Sequence, residues 1–175
     1  MEKLKTTFDD LPEYRARVQA ARKGQTNEVI YNSSQRHAAV LIEQLFLSAQ
    51  QTVRIVCRSL REGSYGTPDV LREARAFLDR GGEIHVIVAQ PESGETNSFL
   101  VAMQGRQNVN VLVAPHVLEV VRFDFMVADG RAYRFEADAT KCVARANFND
   151  TEMAASLDES FENIVRAEPH FRTAA

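Results

Sequence analysis

Three short runs of β-branched and aliphatic residues, separated by segments with helical spacing, constrain the fold of this chain most strongly. The runs are TVRIVC at 52–57, EIHVIVA at 83–89 and NVNVLVA at 108–114. Between the first two lies a predicted helix, with Thr67 at its cap, Pro68 at its first position and Gly81 just past its end. Strands that alternate with helices predict parallel pairing, with helices covering both faces of the sheet.

The last third of the chain changes to a hairpin pattern. Two strand-like runs, RFDFMVA and RAYRF, flank Asp129 and Gly130, a residue pair typical of a tight turn. A third run, CVARANF, follows, and Asn149 and Glu152 are spaced as a capping box for a closing helix. These elements predict an α/β fold: a mixed, mostly parallel central sheet with helices on both faces and a C-terminal hairpin.

The first part of the chain predicts helix, strand and helix. Residues 8–24 have apolar side chains at helical spacing, and we expect this helix on the surface or against a second chain. A short strand follows at 28–31 and a second helix at about 34–51. We therefore divide the chain into an N-terminal helical extension, 1–27, and one α/β domain, 28–175.

Composition excludes several classes of protein. A chain of 175 residues with 45% hydrophobic residues suits one folded domain and not a disordered protein. No apolar run reaches the roughly 18 residues of a membrane span, and no signal peptide is recognisable, so we expect a cytoplasmic protein without membrane contact. Cys57 and Cys142 lie in strand-like runs and fit buried thiols. A net charge of -3 disfavours broad binding of duplex DNA but allows local basic patches.

The order of these elements resembles the phospholipase D-like superfamily. The matching features are the helix RHAAVLIEQLFLSAQQ, the runs TVRIVC, EIHVIV and NVNVLVA, the hairpin RFDFMVADGRAYRF, the strand CVARANF and the closing helix. The resemblance covers roughly residues 28–168 and implies a single phospholipase D-like domain. Members that carry one catalytic motif are similar to half of a two-lobed enzyme and pair through the catalytic face. The resemblance therefore implies a homodimer.

The catalytic signature of that superfamily is His-x-Lys, four further residues and Asp, with Gly-Ser-x-Asn shortly after. In the matching register this chain has Arg122 for the His and Asp124 for the Lys, and it keeps the Asp as Asp129. Residues 136–139, where Gly-Ser-x-Asn would follow, read Glu-Ala-Asp-Ala. A guanidinium stays protonated and cannot attack phosphorus, and a carboxylate repels a phosphodiester. We therefore assign no catalytic residue and favour a binding protein over an enzyme.

Two sets of polar residues are candidate binding sites. The degenerate-motif face comprises Arg122, Asp124, Asp129, Arg134, Glu136, Arg145 and Asn147. Its strand residues, expected on one face, are either a cross-strand ladder of opposite charges or a cleft that binds a ligand or another chain. Strand alternation puts Asp129 on the face opposite Asp124, where it serves the turn.

The second set follows the carboxyl ends of predicted strands, where ligands of α/β proteins bind. It comprises Arg58, Arg61, Ser64, Tyr65 and His116. These residues are either contacts for a phosphate or nucleic acid, or part of a mobile polar loop. The sequence predicts no metal site and no cofactor.

Three functions stay open. The first is a catalytically inactive, self-associating structural or regulatory subunit; small cytosolic proteins that look like this superfamily occur in bacterial phage-defence operons, which implies that setting. The second is a sensor that binds a nucleotide or nucleic acid. The third is a nuclease or phosphodiesterase that uses non-standard residues, with His116 as the candidate. The partner is accordingly a second copy or another protein, or, for the sensor, a nucleotide or nucleic acid.

Overall fold

A seven-stranded sheet with helices on both faces forms the protein, and the computed structural model describes residues 11–90 and 97–168. The strands are β1 (Ile30–Asn32), β2 (Thr52–Cys57), β3 (Glu83–Val88), β4 (Val109–Val113), β5 (Asp124–Ala128), β6 (Ala132–Asp138) and β7 (Val143–Asn147). The helices are α1 (Leu11–Gly24), α2 (Gln35–Ser48), α3 (Glu62–Tyr65), α4 (Pro68–Asp79), α5 (Ser98–Met103), α6 (Pro115–Val120) and α7 (Thr151–Ala167). In this part of the chain, no helix is both long and apolar enough to cross a bilayer.

The strands lie in the order β1-β7-β6-β5-β2-β3-β4. The pairs β2–β3 and β3–β4 are parallel, and the other four pairs are antiparallel. The mixed α/β sheet confirms the predicted fold class, but the prediction of mostly parallel pairing is wrong. The reason is that strands joined by short turns pair antiparallel, and the β5–β6–β7 meander inserts between β1 and β2.

Two apolar cores cover the two faces of the sheet. The larger core lies under α1, α2, α4 and α5, and the smaller lies under α7, whose Leu157 and Phe161 are buried there. Helix α1 packs on α2 and places Tyr14, Val18 and Ala21 in the larger core. The helix predicted to lie on the surface or against a second chain thus has its apolar side covered by its own chain.

Local signals at the ends of elements mostly act as the sequence predicts. Thr67 Oγ1 accepts a hydrogen bond from Val70 N at the start of α4. Asp129 and Gly130 both have positive φ, +51° and +60°, as a tight turn between β5 and β6 requires. The predicted cap of α7 at Asn149 is wrong. Asp150 caps the helix by accepting from Met153 N at 3.0 Å.

Candidate functional site

Charged side chains meet beneath α2 where β5 and β6 pair. Asp124 lies directly opposite Glu136 in the register of these strands, and Arg134 follows on the same face because alternate residues of a strand share a face. All three side chains are buried, as is Asn32 of β1. Together with Arg61 they form what we call the buried charge cluster: Asn32, Arg61, Asp124, Arg134 and Glu136.

Hydrogen bonds connect the cluster through the carboxylate of Glu136. Its Oε1 accepts from Arg61 Nη1 at 3.2 Å and its Oε2 from Arg134 Nη2 at 2.9 Å. Arg134 Nε donates to Asn32 Oδ1 at 3.0 Å, and Asn32 Nδ2 donates to the carbonyl of Cys142 at 2.9 Å. Arg61 also donates to the carbonyl of Ala139. Both arginines are therefore turned inward, onto acceptors of the protein itself.

Asp124 lies at the edge of the cluster, where its Oδ1 accepts from Arg58 N at 3.2 Å. Burial, and next the charge of Glu136, raise the pKa of Asp124 to about 6, although the Arg58 N–H and both arginines of the cluster act in the opposite direction. Burial is the largest single influence on the pKa of Arg61 and acts to lower it, but the charge and hydrogen bond of Glu136, together with Cys142 and Asp124, act in the opposite direction, and the net shift is upward. The cluster thus holds two guanidinium groups against two carboxyl groups, and the pKa of Asp124 lies above its ordinary value.

The structure brings together only part of the predicted degenerate-motif face. Asp124, Arg134 and Glu136 share one face as predicted, whereas Arg145 pairs with Phe135 and lies on the opposite face. There the guanidinium of Arg145 lies 5.5 Å from the ring centre of Phe135. Asn147 lies on that face too, and its Nδ2 donates to Asn27 Oδ1 at 2.7 Å. The expected common face is therefore wrong for these last two residues.

Arg122, which the resemblance aligns with the nucleophilic His of the motif, precedes β5 and is exposed. Asp129, at the other end of β5, has a defined structural position. Its carboxylate accepts from Gln50 N, Gln51 N and Thr52 N at 2.7, 2.9 and 2.8 Å. Asp129 therefore joins the hairpin turn to the start of β2, one strand length from Asp124. Among the described residues, no three acidic, His or Cys side chains are grouped as a metal site would need.

The residues predicted after the strand ends divide between surface and interior. Arg58 is exposed and lines an open cleft of about 310 Å³ with Ala89, Gln90, Pro115 and Glu119. His116 is exposed on α6, next to that cleft. Arg61 instead points into the buried charge cluster.

Ser64 and Tyr65, by contrast, are buried in the segment interpreted as a mobile loop, because residues 62–65 form the helical turn α3. The ring of Tyr65 packs edge-on against Phe99, with 5.7 Å between ring centres. Burial raises the pKa of the Tyr65 hydroxyl, and that of the Cys57 thiol beside it. These groups belong to the core beneath the candidate loop.

Asn32 is a member of the cluster, although it is not among the site residues predicted from the sequence. Asn32 is followed by Ser33 and Ser34 just before α2, where polar side chains are typical of helix caps. Ser34 alone has that role, since its Oγ accepts from His37 N. Asn32 is the last residue of β1 and lies next to these candidate caps, so no local signal distinguishes it as a member of the cluster.

Known proteins resemble this chain in structure but not in sequence. No protein-family profile matches the chain, and no curated protein matches it in sequence. In structure, it is similar to Nuc, a phospholipase D family member from Salmonella typhimurium, with a TM-score of 0.57 and 17% identity over 79% of this chain and 93% of Nuc. It is also similar to TrmBL2, an archaeal chromatin protein that binds DNA, with a TM-score of 0.58 and 12% identity over 90% of this chain and 59% of TrmBL2. The chain therefore has the phospholipase D-like fold that the order of its elements predicts.

Proposed function

We propose that this protein is a catalytically inactive phospholipase D-like module that acts by self-association, as a structural or regulatory subunit. The observation that carries the proposal is the buried charge cluster beside the positions where the superfamily motif has its His and Lys. There, Asp124 replaces the Lys, and both arginines of the cluster are bonded to acceptors within the chain.

Phosphodiester hydrolysis needs a nucleophile and positive charge directed at the phosphate oxygens. Arg122 supplies no nucleophile, since its guanidinium stays protonated. Arg134 would have to leave Glu136 and Asn32 to reach a phosphate, and leaving Glu136 without its partner in the interior is costly. The geometry therefore favours a stable internal ion network over a reaction site.

The self-associating role and its setting rest on the resemblance. A single motif-bearing half that pairs with a second copy is the arrangement that the superfamily implies for a chain of this size. A regulatory subunit in the cytoplasm, as in a phage-defence system, agrees with two cysteines that form no disulfide with each other, Cys57 being buried.

The test combines turnover with mass. We expect purified protein to leave bis(p-nitrophenyl) phosphate, single-stranded DNA and RNA uncleaved, and to show by light scattering twice the 19.6 kDa mass of one chain. Arg122→Ala and His116→Ala are the matched variants, because both residues are exposed. Turnover that either variant abolishes would overturn the inactive module and favour a nuclease with non-standard residues. A monomer without turnover would leave inactivity standing and overturn self-association.

A sensor of nucleic acid or a nucleotide is the second candidate, and Arg58 is the observation that favours it. Its guanidinium makes no ion pair within the described residues and lies in the cleft at the carboxyl ends of β2 and β3. The similarity to TrmBL2 agrees with this candidate at the level of fold. Binding of a single-stranded oligonucleotide that weakens steeply with salt, and that Arg58→Glu abolishes, would support it. If Arg58→Glu still binds the oligonucleotide, this cleft is not the binding site.

A further inference from the structure

Strand β4 forms one open edge of the sheet and carries apolar side chains into solvent. Val111 and Val113 are exposed there, 42% and 52% by area. Edge strands of proteins that stay monomeric are usually protected by charged residues, proline or a bulge. The run VNVLV contains no charged residue and no proline, and it pairs with β3 in unbroken register.

The main-chain groups on the outer side of β4 are those of its odd-numbered residues. Asn108 O accepts from Ile84 N, and Ala114 N donates to Val88 O, so the even-numbered residues bond to β3. Alternate residues of a strand direct their N–H and C=O groups to opposite neighbours. The groups of Val109, Val111 and Val113 therefore point to the open edge, where the described part of the chain provides no strand.

The sequence of β4 is nearly symmetric about its central residue. In an antiparallel pair centred on Val111, Val109 of one copy lies opposite Val113 of the other, and Val111 lies opposite itself. The three residues whose N–H and C=O groups face outward are then the residues that exchange hydrogen bonds. The same pairing aligns the valines of both copies in one row, since alternate residues share a face.

We propose that a second copy of this chain pairs with β4 in antiparallel register across a two-fold axis at Val111, so that two seven-stranded sheets become one. The inference rests on the self-association of the proposed function and identifies its surface. It differs from the pairing through the catalytic face that the superfamily resemblance implies. A two-fold contact of this kind closes on itself and leaves no further β4 edge to extend.

Surfaces beside the strand are suited to the same contact. Helix α5 and β4 form an apolar groove of about 440 Å³ whose lining includes Leu100, Val101 and Met103. The pairing brings the α5 helices of both copies together over this groove, which adds apolar area beyond the strand itself; a stable interface buries roughly 1,200 Å² or more. Arg106, at the start of the strand, is already paired with Asp79 at 2.5 Å, so no unpaired like charges oppose the contact there.

The opposite edge of the sheet offers no equivalent contact. Strand β1 has three residues, and both Ile30 and Asn32 are buried under the helices. Only Tyr31 presents its side chain to solvent in that strand. The longer and less protected edge, β4, is therefore the one that a second copy fits.

The experiment measures mass by light scattering at several concentrations for three single variants. Val111→Lys places two like charges opposite each other at the axis, and we expect the mass to fall from twice 19.6 kDa to 19.6 kDa. Val143→Lys is the matched control, because Val143 is similarly exposed, 48%, but begins an interior strand of the sheet. Val120→Lys, on α6, tests pairing at the carboxyl ends of the strands. The last two should keep the mass of the wild type, and circular dichroism establishes that all three are folded.

A charge exchange tests the position of the axis. Val111→Glu should also be a monomer, and an equimolar mixture with Val111→Lys should recover the dimer mass, since opposite charges then face each other. A mixture that stays monomeric overturns the axis at Val111. If the wild type is a dimer that Val120→Lys dissociates and Val111→Lys does not, β4 is not the interface, although self-association stands. If the wild type is a monomer, both the β4 interface and self-association are overturned. A mass that grows beyond the dimer overturns closed two-fold pairing.

Discussion

The antiparallel and parallel halves of the sheet bury different chemistry on the same face. Beneath α2, the antiparallel half holds the charged side chains of Asp124, Arg134 and Glu136. The parallel half presents aliphatic residues such as Ile55 and Ile84 to the same layer of helices. Burial of aliphatic area stabilises a fold directly, whereas a buried ion pair roughly offsets its own desolvation. We therefore expect the aliphatic core of the parallel half to supply most of the stability of the fold. In the antiparallel half, we expect substitutions within the buried charge cluster to be costly.

The charge cluster and the edge strand β4 lie in different halves of the sheet and differ in whether they need a partner. The charge cluster satisfies its own donors and acceptors, so it needs no ligand to remain folded. The parallel half ends at β4, whose outer main-chain groups face no other strand of the described residues. The surface proposed for a second copy therefore lies in the other half of the sheet from Asp124.

Removing the central carboxylate of the cluster gives the largest expected effect. Glu136→Gln keeps the size of the side chain but removes the carboxylate with which both Arg61 and Arg134 are paired, and the Arg134 side chain is only 4% exposed. We expect the free energy of unfolding, measured by urea denaturation, to fall by about 3–5 kcal/mol.

The control is an ion pair on the other face. Glu162→Gln removes a partner of Arg54 in a pair whose acidic side chain is 42% exposed, and it should cost less than about 1 kcal/mol. Equal losses in the two variants would contradict the distinction between a buried network and a surface pair.

The next effect concerns the contact that joins the two halves. Asp129→Ala removes the acceptor for three main-chain N–H groups at the start of β2 and puts alanine at a positive φ. We expect a loss of about 2–3 kcal/mol in the free energy of unfolding. Asp138→Ala is the comparison, since Asp138 accepts from Thr140 within its own turn and should cost less. A larger loss in the free energy of unfolding for Asp138→Ala than for Asp129→Ala would contradict the structural role of Asp129.

Local signals determine how much of this fold the sequence predicts. The run TVRIVC corresponds to β2 in full, and the cap and Pro68 place the start of α4, because both depend on neighbouring residues. Strand order depends on contacts distant in sequence, and that is where the prediction of mostly parallel pairing failed. The turn α3 was missed because Gly63 and Gly66 suggested a loop.

For the candidate site, too, the sequence predicts what depends on neighbouring residues and not what depends on distant contacts. Alternation along continuous strands placed Asp124, Arg134 and Glu136 on one face. It failed for Arg145 and Asn147 because the register between β6 and β7 shifts at an irregularity beyond Phe135, which no local pattern reveals. Asn32 joins the cluster from a strand 102 residues before Arg134, and this pairing depends on the tertiary fold.

The next expected effect is a gain in stability, and it depends on pH through the Asp124 carboxyl group of the antiparallel half. The pKa of Asp124 rises from 3.8 to about 6 on folding, so the native state binds the proton more tightly. The contribution of this carboxyl group to stability is therefore greatest below about pH 4, falls as pH rises through about 6, and is constant above it. Asp124→Asn keeps an oxygen for the N–H of Arg58 and removes this pH dependence.

The expected gain for Asp124→Asn is about 2 kcal/mol in the free energy of unfolding near pH 7.5, and close to zero near pH 4. Urea denaturation across this range measures it. A variant that is less stable than the wild type at the higher pH would show that the Asp124 carboxylate is favoured in the native state, contrary to the direction of its pKa.

The smallest expected effect belongs to the parallel half and tests whether its stability is independent of charge. Ile84 is fully buried on the face that also holds Asp124. Ile84→Val removes one methylene and should cost about 1 kcal/mol. The loss should be the same at every pH of the series, because no titrating group contributes to it. A loss that instead follows the titration of Asp124 would mean that the two halves share one network of interactions, and the distinction between them would fail.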